Sequence, residues 1–177
     1  MMPRNFSDTL EERTAGAAQG LRLALVTAFG LGLLPGAPGT WGTLLGVLLH
    51  GLVVVLLPAG AQTAALVLCL LVVSALNVIL APWAMDYWKC KDPGRFVLDE
   101  VAGYLIVPVL FRHGALWQLM LAAFLLFRLF DIIKVPPARQ IDRSMQSGWG
   151  ILLDDLVSGA YAALVLHVLL WVGLFPP

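Results

Sequence analysis

Between Arg22 and Asp86 the chain contains no Asp, Glu, Lys or Arg. At about 1.5 Å of rise per residue, one helix of that length would far overrun the ~30 Å hydrocarbon core of a bilayer, so the stretch must turn back on itself. The turns fall at "PGAPGTWG" (35–42) and "PAGAQ" (58–62), where Pro and Gly interrupt helix and set a re-entry. A water-soluble alternative fails on composition. With 60% hydrophobic and 12% charged residues and a mean hydropathy of +0.88, the chain is more apolar than a single soluble core of 177 residues can hide.

The expected fold is all-α: a polytopic membrane protein of about five spans, at roughly 41–57, 63–82, 98–111, 115–131 and 151–174. The third is short for a crossing and is expected to be tilted, extended upstream or half-buried in protein. Residues 21–34 hold about four helical turns, which suits an interfacial or re-entrant segment better than a sixth crossing. Residues 1–20 mix both charge signs and lack a signal-peptide core, so they read as a flexible cytoplasmic tail, followed by one helical membrane domain over 21–177. Arg4, Arg13 and Arg22 precede the first span; Lys89, Lys91 and Arg95 separate the second and third; Lys134, Arg139 and Arg143 separate the fourth and fifth. The positive-inside rule puts all three segments in the cytoplasm, with Arg112 alone among basic residues in an outward loop.

Charge also excludes partners. Net formal charge is zero, and the basic residues are interleaved with acids, so no nucleic-acid partner is expected. "GLGLLPGAPGTWGT" (30–43) lacks the Gly-Lys-Ser/Thr ending of a nucleotide-binding loop, which leaves nucleotides without support. Cys69 lies in a span and Cys90 in an inner loop, so a disulfide between them is not expected. "CKDPGR" is one residue short of a phosphatase cysteine loop, and Pro93 removes an N–H that such a loop would use; Cys90 is not read as a nucleophile.

The acids carry the chemistry. Outside the N-terminal tail they fall into two groups, Asp86, Asp92, Asp99 and Glu100, and then Asp131, Asp142, Asp154 and Asp155, which the topology brings to one membrane face. "LDEVAG" (98–103) and "LDDLVSG" (153–159) share a form: two acids opening a helix, then small residues one turn on that let helices approach closely. Adjacent helical side chains point about 100° apart, so each pair can send one carboxylate inward. Clustered carboxylates in an apolar setting need a counter-ion. Oxygen donors without a His or Cys cluster point to Mg²⁺ or Mn²⁺ and away from zinc. Arg128, Asp131 and Lys134 share a helix face until Pro136–Pro137 stops the helix. Arg128 either pairs with Asp131 within the span or, with Lys134 and Arg143, meets a phosphate. Thr40, Thr43 and free N–H groups at the first span's start are candidates to line a headgroup site.

The four blocks "GLGLLPGAPGTWGT", "KDPGRFVLDEVAGYL", "FRLFDIIKVPPARQIDR" and "GWGILLDDLVSGAYA", in this order across about residues 27–162, resemble the phosphatidylglycerophosphatase A family of bacterial membrane phosphatases. The resemblance implies a Mg²⁺-dependent hydrolase of the bacterial inner membrane acting on phosphatidylglycerol phosphate, with site residues at Asp92, Asp99, Glu100, Arg128, Asp131, Lys134, Asp154 and Asp155. Two departures stand out: Gly36 replaces a usual Lys, and "KVPP" replaces Lys-Pro-Trp-Pro. Chemistry reaches the same place from the residues. A phosphate monoester dianion repels its nucleophile and leaves a poor alkoxide, so catalysis must neutralise charge. Asp99, Glu100, Asp154 and Asp155 are expected to hold metal, Arg128 and Lys134 to grip phosphate, and Asp131 or Asp92 to orient or deprotonate water, with Asp99 and Asp155 counted among the catalytic set. Direct water attack and an aspartyl-phosphate intermediate both remain open.

Two other readings compete. A CDP-alcohol phosphatidyltransferase also uses membrane carboxylates and Mg²⁺, but its Asp-Gly-x-x-Ala-Arg signature is missing, since Ile132 follows Asp131. A cation transporter would place acids deep in several spans or at both mouths. Here they gather on one side.

Overall fold

The computed structural model describes residues 6–177, with side chains from residue 14 onward. Its helices are α1 (Phe6–Val26), α2 (Pro38–Leu56), α3 (Ala59–Trp88), α4 (Leu98–Leu110), α5 (Leu116–Ile133), α6 (Ala138–Ser144) and α7 (Gly148–Trp171), with a 3₁₀ turn at Leu31–Leu33 between α1 and α2. Each of the five expected spans is a helix. Four of them, α2, α3, α5 and α7, are long and apolar enough to cross a membrane.

The third is different in kind. At 13 residues, α4 is about 20 Å long and falls short of the hydrocarbon thickness. It lies at the centre of the bundle, packed against α2, α3, α5 and α7, with Asp99, Val101 through Leu105, Val107 and Pro108 all buried. A helix wrapped by other helices has no lipid to match, so its shortness costs nothing. The second expected span gains a turn at its start and continues past its expected end to Trp88, through Pro82. Trp83, Tyr87 and Trp88 stack there, and Trp149 and Trp171 stand at the two ends of α7, as interfacial anchors do.

The segment expected at the interface, 21–34, is the last turn and a half of α1, a tight turn and the 3₁₀ turn. Residues 14–22 are exposed, and the chain becomes buried only at Val26, whose carbonyl accepts from the Val97 N–H at 3.1 Å. Arg4, Arg13 and the first residues of the expected tail lie outside the described side chains. Cys69 and Cys90 are both free thiols.

What fixes the site is the crossing of α4 and α7. A Cβ on Gly159 would overlap the Gly103 carbonyl and press on Ile106 Cγ2, and one on Gly103 would lie 2.9 Å from the Asp155 carbonyl. The two backbones therefore touch where both residues are glycine. Asp99 precedes Gly103 by one turn, and Asp155 precedes Gly159 by one turn. Residues four apart share a helix face, so the crossing that the glycines permit also brings the acids together.

Candidate active site

One carboxylate oxygen from each of Asp99, Glu100 and Asp155 lies within 4.8 Å of the others. Asp99 and Asp155 are buried, and Asp99 Oδ1, Glu100 Oε2 and Asp155 Oδ2 are shielded from solvent with no hydrogen-bond partner. Buried carboxylate oxygens left in that state are strongly unfavourable unless a proton or a cation meets them. The trio is a set of hard oxygen donors, and no His or Cys among the described residues joins it, which suits a divalent ion of the Mg²⁺ type.

Asp154, expected beside these three, turns the other way. The roughly 100° step between neighbours on α7 carries its Oδ2 to Lys134 Nζ, 2.7 Å away, and leaves Oδ1 buried and unpaired. Lys134 closes α5 with a left-handed backbone (φ 50°) and also stands 3.4 Å from Asp142 Oδ1 on α6. Its partial burial opposes its charge, but the bond to Asp154 and the nearby Asp142 and Asp155 outweigh that and hold its pKa above the usual lysine value. Lys91 reaches the same α6 residue through the Asp142 carbonyl. These contacts tie the 89–97 loop and α6 to the mouth of the site.

Arg128 sits on the opposite flank. Its Nη1 donates to Asp131 Oδ2 at 2.6 Å, and both side chains are largely covered. Of the two alternatives open to Arg128 in the sequence, the ion pair within the span is thus present. It does not exhaust the guanidinium: Nε is buried and unpartnered, a donor free for an incoming oxyanion.

The remaining sequence candidates divide. Asp92 stands exposed in the loop ahead of α4. Loss of water around its carboxyl raises its pKa most; Lys134 pulls it down, Asp142 and Asp131 push it up and Lys91 pulls it down, for a net upward shift. Thr40 is half-buried in the first turn of α2. Thr43 is buried, its hydroxyl donating to the Gly39 carbonyl at 2.8 Å, so it is already satisfied within its own helix. Arg143 is exposed on α6. Asp86, grouped by sequence with Asp99, instead pairs with Lys89 at the surface, 2.5 Å away.

Two residues that the sequence reading passed over matter here. Gly39 brings the α2 backbone against the site: a Cβ there would collide with Glu100 Oε1 and lie 2.9 Å from Arg128 Nη1. Asn77, buried in α3, donates from Nδ2 to the Gly148 carbonyl at 3.0 Å and so pins the start of α7, two turns before the acids. A lone Asn in an apolar span was the available signal for the second. For Gly39 there was none beyond the Gly-rich run itself.

The family model described as phosphatidylglycerophosphatase A matches residues 24–170. A Haemophilus influenzae protein named phosphatidylglycerophosphatase A is 37% identical over 145 residues, covering 82% of this chain and 86% of that protein. A Bacteroides thetaiotaomicron protein provisionally named phosphatidylinositol-3-phosphatase is 34% identical over 158 residues, with 86% and 95% covered. An Escherichia coli protein named phosphatidylglycerophosphatase A is 33% identical over 143 residues, with 81% and 80% covered. No solved structure matches the chain.

Proposed function

The chain belongs to the phosphatidylglycerophosphatase A family, and from that membership we propose that the acids at the α4–α7 crossing are where it cuts its lipid substrate. Its reaction is hydrolysis of the terminal phosphate monoester of phosphatidylglycerol phosphate, giving phosphatidylglycerol and inorganic phosphate. The observation that carries the placement is the trio of unpartnered buried carboxylate oxygens on Asp99, Glu100 and Asp155, flanked by Arg128 and Lys134.

Asp99, Glu100 and Asp155 would hold Mg²⁺. Bound there, the ion would supply positive charge to the phosphoryl oxygens and to the leaving oxygen. Arg128, steadied through Nη1 by Asp131, presents its free Nε to the phosphoryl group, and Lys134 adds a second positive charge from the α6 side. Asp131 is committed to Arg128, so deprotonation of water falls to Asp92 at the mouth. The water oxygen bonds to phosphorus as its proton passes to Asp92. The bond from phosphorus to the glycerol oxygen breaks, that oxygen takes a proton from solvent water to become the product alcohol, and Asp92 returns its proton to the solvent.

A base with a raised pKa is better matched to neutral pH than an ordinary carboxylate. The upward shift of Asp92 has a definite sign: the base works when deprotonated, so kcat/KM falls as pH drops through that pKa. The acid limb of the pH profile should lie above the ordinary carboxylate range, and Asp92→Asn should remove it. A profile of unchanged shape in the variant would exclude Asp92 as the base.

The test of the whole reading is phosphate release by the purified protein from phosphatidylglycerol phosphate, with Mg²⁺ or with EDTA, and with phosphatidylinositol 3-phosphate as a second substrate. Release that requires the divalent ion and favours phosphatidylglycerol phosphate is expected. Equal turnover in EDTA would remove the metal role, and a preference for the inositol lipid would move the substrate toward that of the Bacteroides relative.

The site end of the bundle faces the cytoplasm in this reading. It carries Lys89, Lys91, Arg95, Lys134, Arg139 and Arg143, against Arg112 at the other end among the residues with described side chains. Cys90 is exposed at the basic end, and Cys69 lies within α3. A membrane-impermeant thiol reagent should label Cys90 in inverted inner-membrane vesicles and leave it untouched in intact spheroplasts. The reverse pattern would invert the topology.

A further inference from the structure

The end of the bundle remote from the acids holds a second polar site. α4 ends at Leu110, about 16 Å along its axis from Asp99 and Glu100. Just beyond it a cavity of about 120 Å³ is lined by His50, Gln62 and Arg112 together with Gly114 and Leu116.

Among the side chains that line it, Arg112 and His50 carry donors to spare. The Arg112 guanidinium donates to Gln62 Oε1 at 2.7 Å and to the Thr63 hydroxyl. Both acceptors are neutral, no ion pair reaches Arg112 among the described residues, and the eight acids from Asp86 to Asp155 belong to the opposite end. Gln62 is spent as well as oriented: its Nε2 donates to the Val54 and Leu57 carbonyls, each at 3.1 Å.

His50 supplies the second donor. It is 2% exposed, and its Nδ1 is 3.1 Å from the Tyr104 hydroxyl. Tyr104 is fully buried and makes no other hydrogen bond among the described residues. If its oxygen accepted from Nδ1–H, its own proton would be buried without an acceptor; the hydroxyl therefore donates, and the neutral ring keeps its proton on Nε2. That N–H has no acceptor in the protein. The first turn of α5, whose leading N–H groups lack helical partners, borders the same space at Leu116.

A guanidinium with no ion-pair partner among the described residues, a ring N–H with no acceptor in the protein and a helix N-terminus converge on one small space. We propose that this cavity binds a phosphate-type oxyanion at the membrane face opposite the catalytic acids. Two sources carry that chemistry there: the headgroup of an anionic phospholipid, and free phosphate. The forked donors of Arg112 suit either.

The test uses delipidated, detergent-purified full-length protein, with phosphatidylglycerol or millimolar inorganic phosphate as probes. Native mass spectrometry counts retained lipid, and Tm reports stabilisation. Wild type should retain one phosphatidylglycerol about tenfold more strongly than Arg112→Gln, the effect of losing a charge-assisted bond. Phosphatase activity should stay within about twofold, because Arg112 is remote from the acids. His50→Phe keeps a ring but no N–H and should also weaken retention. Stabilisation of wild type by inorganic phosphate, absent in Arg112→Gln, assigns the site to the free anion; stabilisation by lipid alone assigns it to the headgroup. Equal retention by wild type and Arg112→Gln, with no phosphate-dependent gain in Tm, overturns the proposal and leaves the cavity to water. Arg112 is exposed, so the decisive variant does not depend on refolding a core.

Discussion

Asp155→Asn is expected to lower phosphate release from phosphatidylglycerol phosphate by about a thousandfold or more while leaving the metal-free protein more stable than wild type. The two effects have one cause. Asp155 is buried beside Asp99 and Glu100, with Oδ2 unpartnered, so any two of the three that ionise without a metal repel each other where water cannot screen them. An amide of the same shape removes one of those charges without opening a cavity, and the mutual repulsion of the remaining two falls. The same change deprives a divalent ion of one of its three oxygen donors. Thermal unfolding in EDTA should therefore show a higher Tm for the variant. On adding Mg²⁺ the wild-type Tm should climb as the ion binds the folded state alone, and the variant's should barely move. A variant that loses activity yet gains as much from Mg²⁺ as wild type would show that Asp155 does something other than hold the ion. One less stable than wild type in EDTA would show that the carboxylate is held by contacts the charge argument leaves out.

Much of this site was legible because its logic is periodic. The repeated form of an acid followed four residues later by glycine, Asp99 with Gly103 and Asp155 with Gly159, places both acids one turn from a crossing that both glycines allow. Helical spacing contains that information. The assignment of Asp154 was harder, since neighbours on one helix diverge and only the position of Lys134 decides which of two adjacent acids turns inward. Lys134 stands where it does because α5 ends there in a left-handed turn and α6 folds back beside it, a matter of chain geometry that no local pattern announces. The short α4 was legible in length and ambiguous in meaning. A thirteen-residue helix, apolar beyond its first turn, reads alike whether it is a thin span or a buried axis, and the packing of α2, α3, α5 and α7 around it settles which.

Gly39 shows the limit most clearly, and it supports the second large effect. Gly39→Val should cut activity by about a hundredfold with little change in Tm. A Cβ at this position meets the ends of two long side chains, Glu100 Oε1 and Arg128 Nη1. Such ends can swing aside at small cost, so the fold survives. Where they swing is the difficulty, because one of them belongs to the carboxylate trio and the other to the guanidinium paired with Asp131. Displacing both by about an ångström spoils the alignment on which the reaction depends, and misplacement of that size is worth about two orders of magnitude. Gly39→Ala should fall between wild type and valine, since its single methyl makes the same collision with less bulk behind it. The graded series separates this account from a role for Gly39 in starting α2. If backbone freedom at the helix start were what mattered, alanine and valine would lower Tm together and activity would follow Tm; if the side-chain collision matters, activity falls with the size of the substituent while Tm stays level.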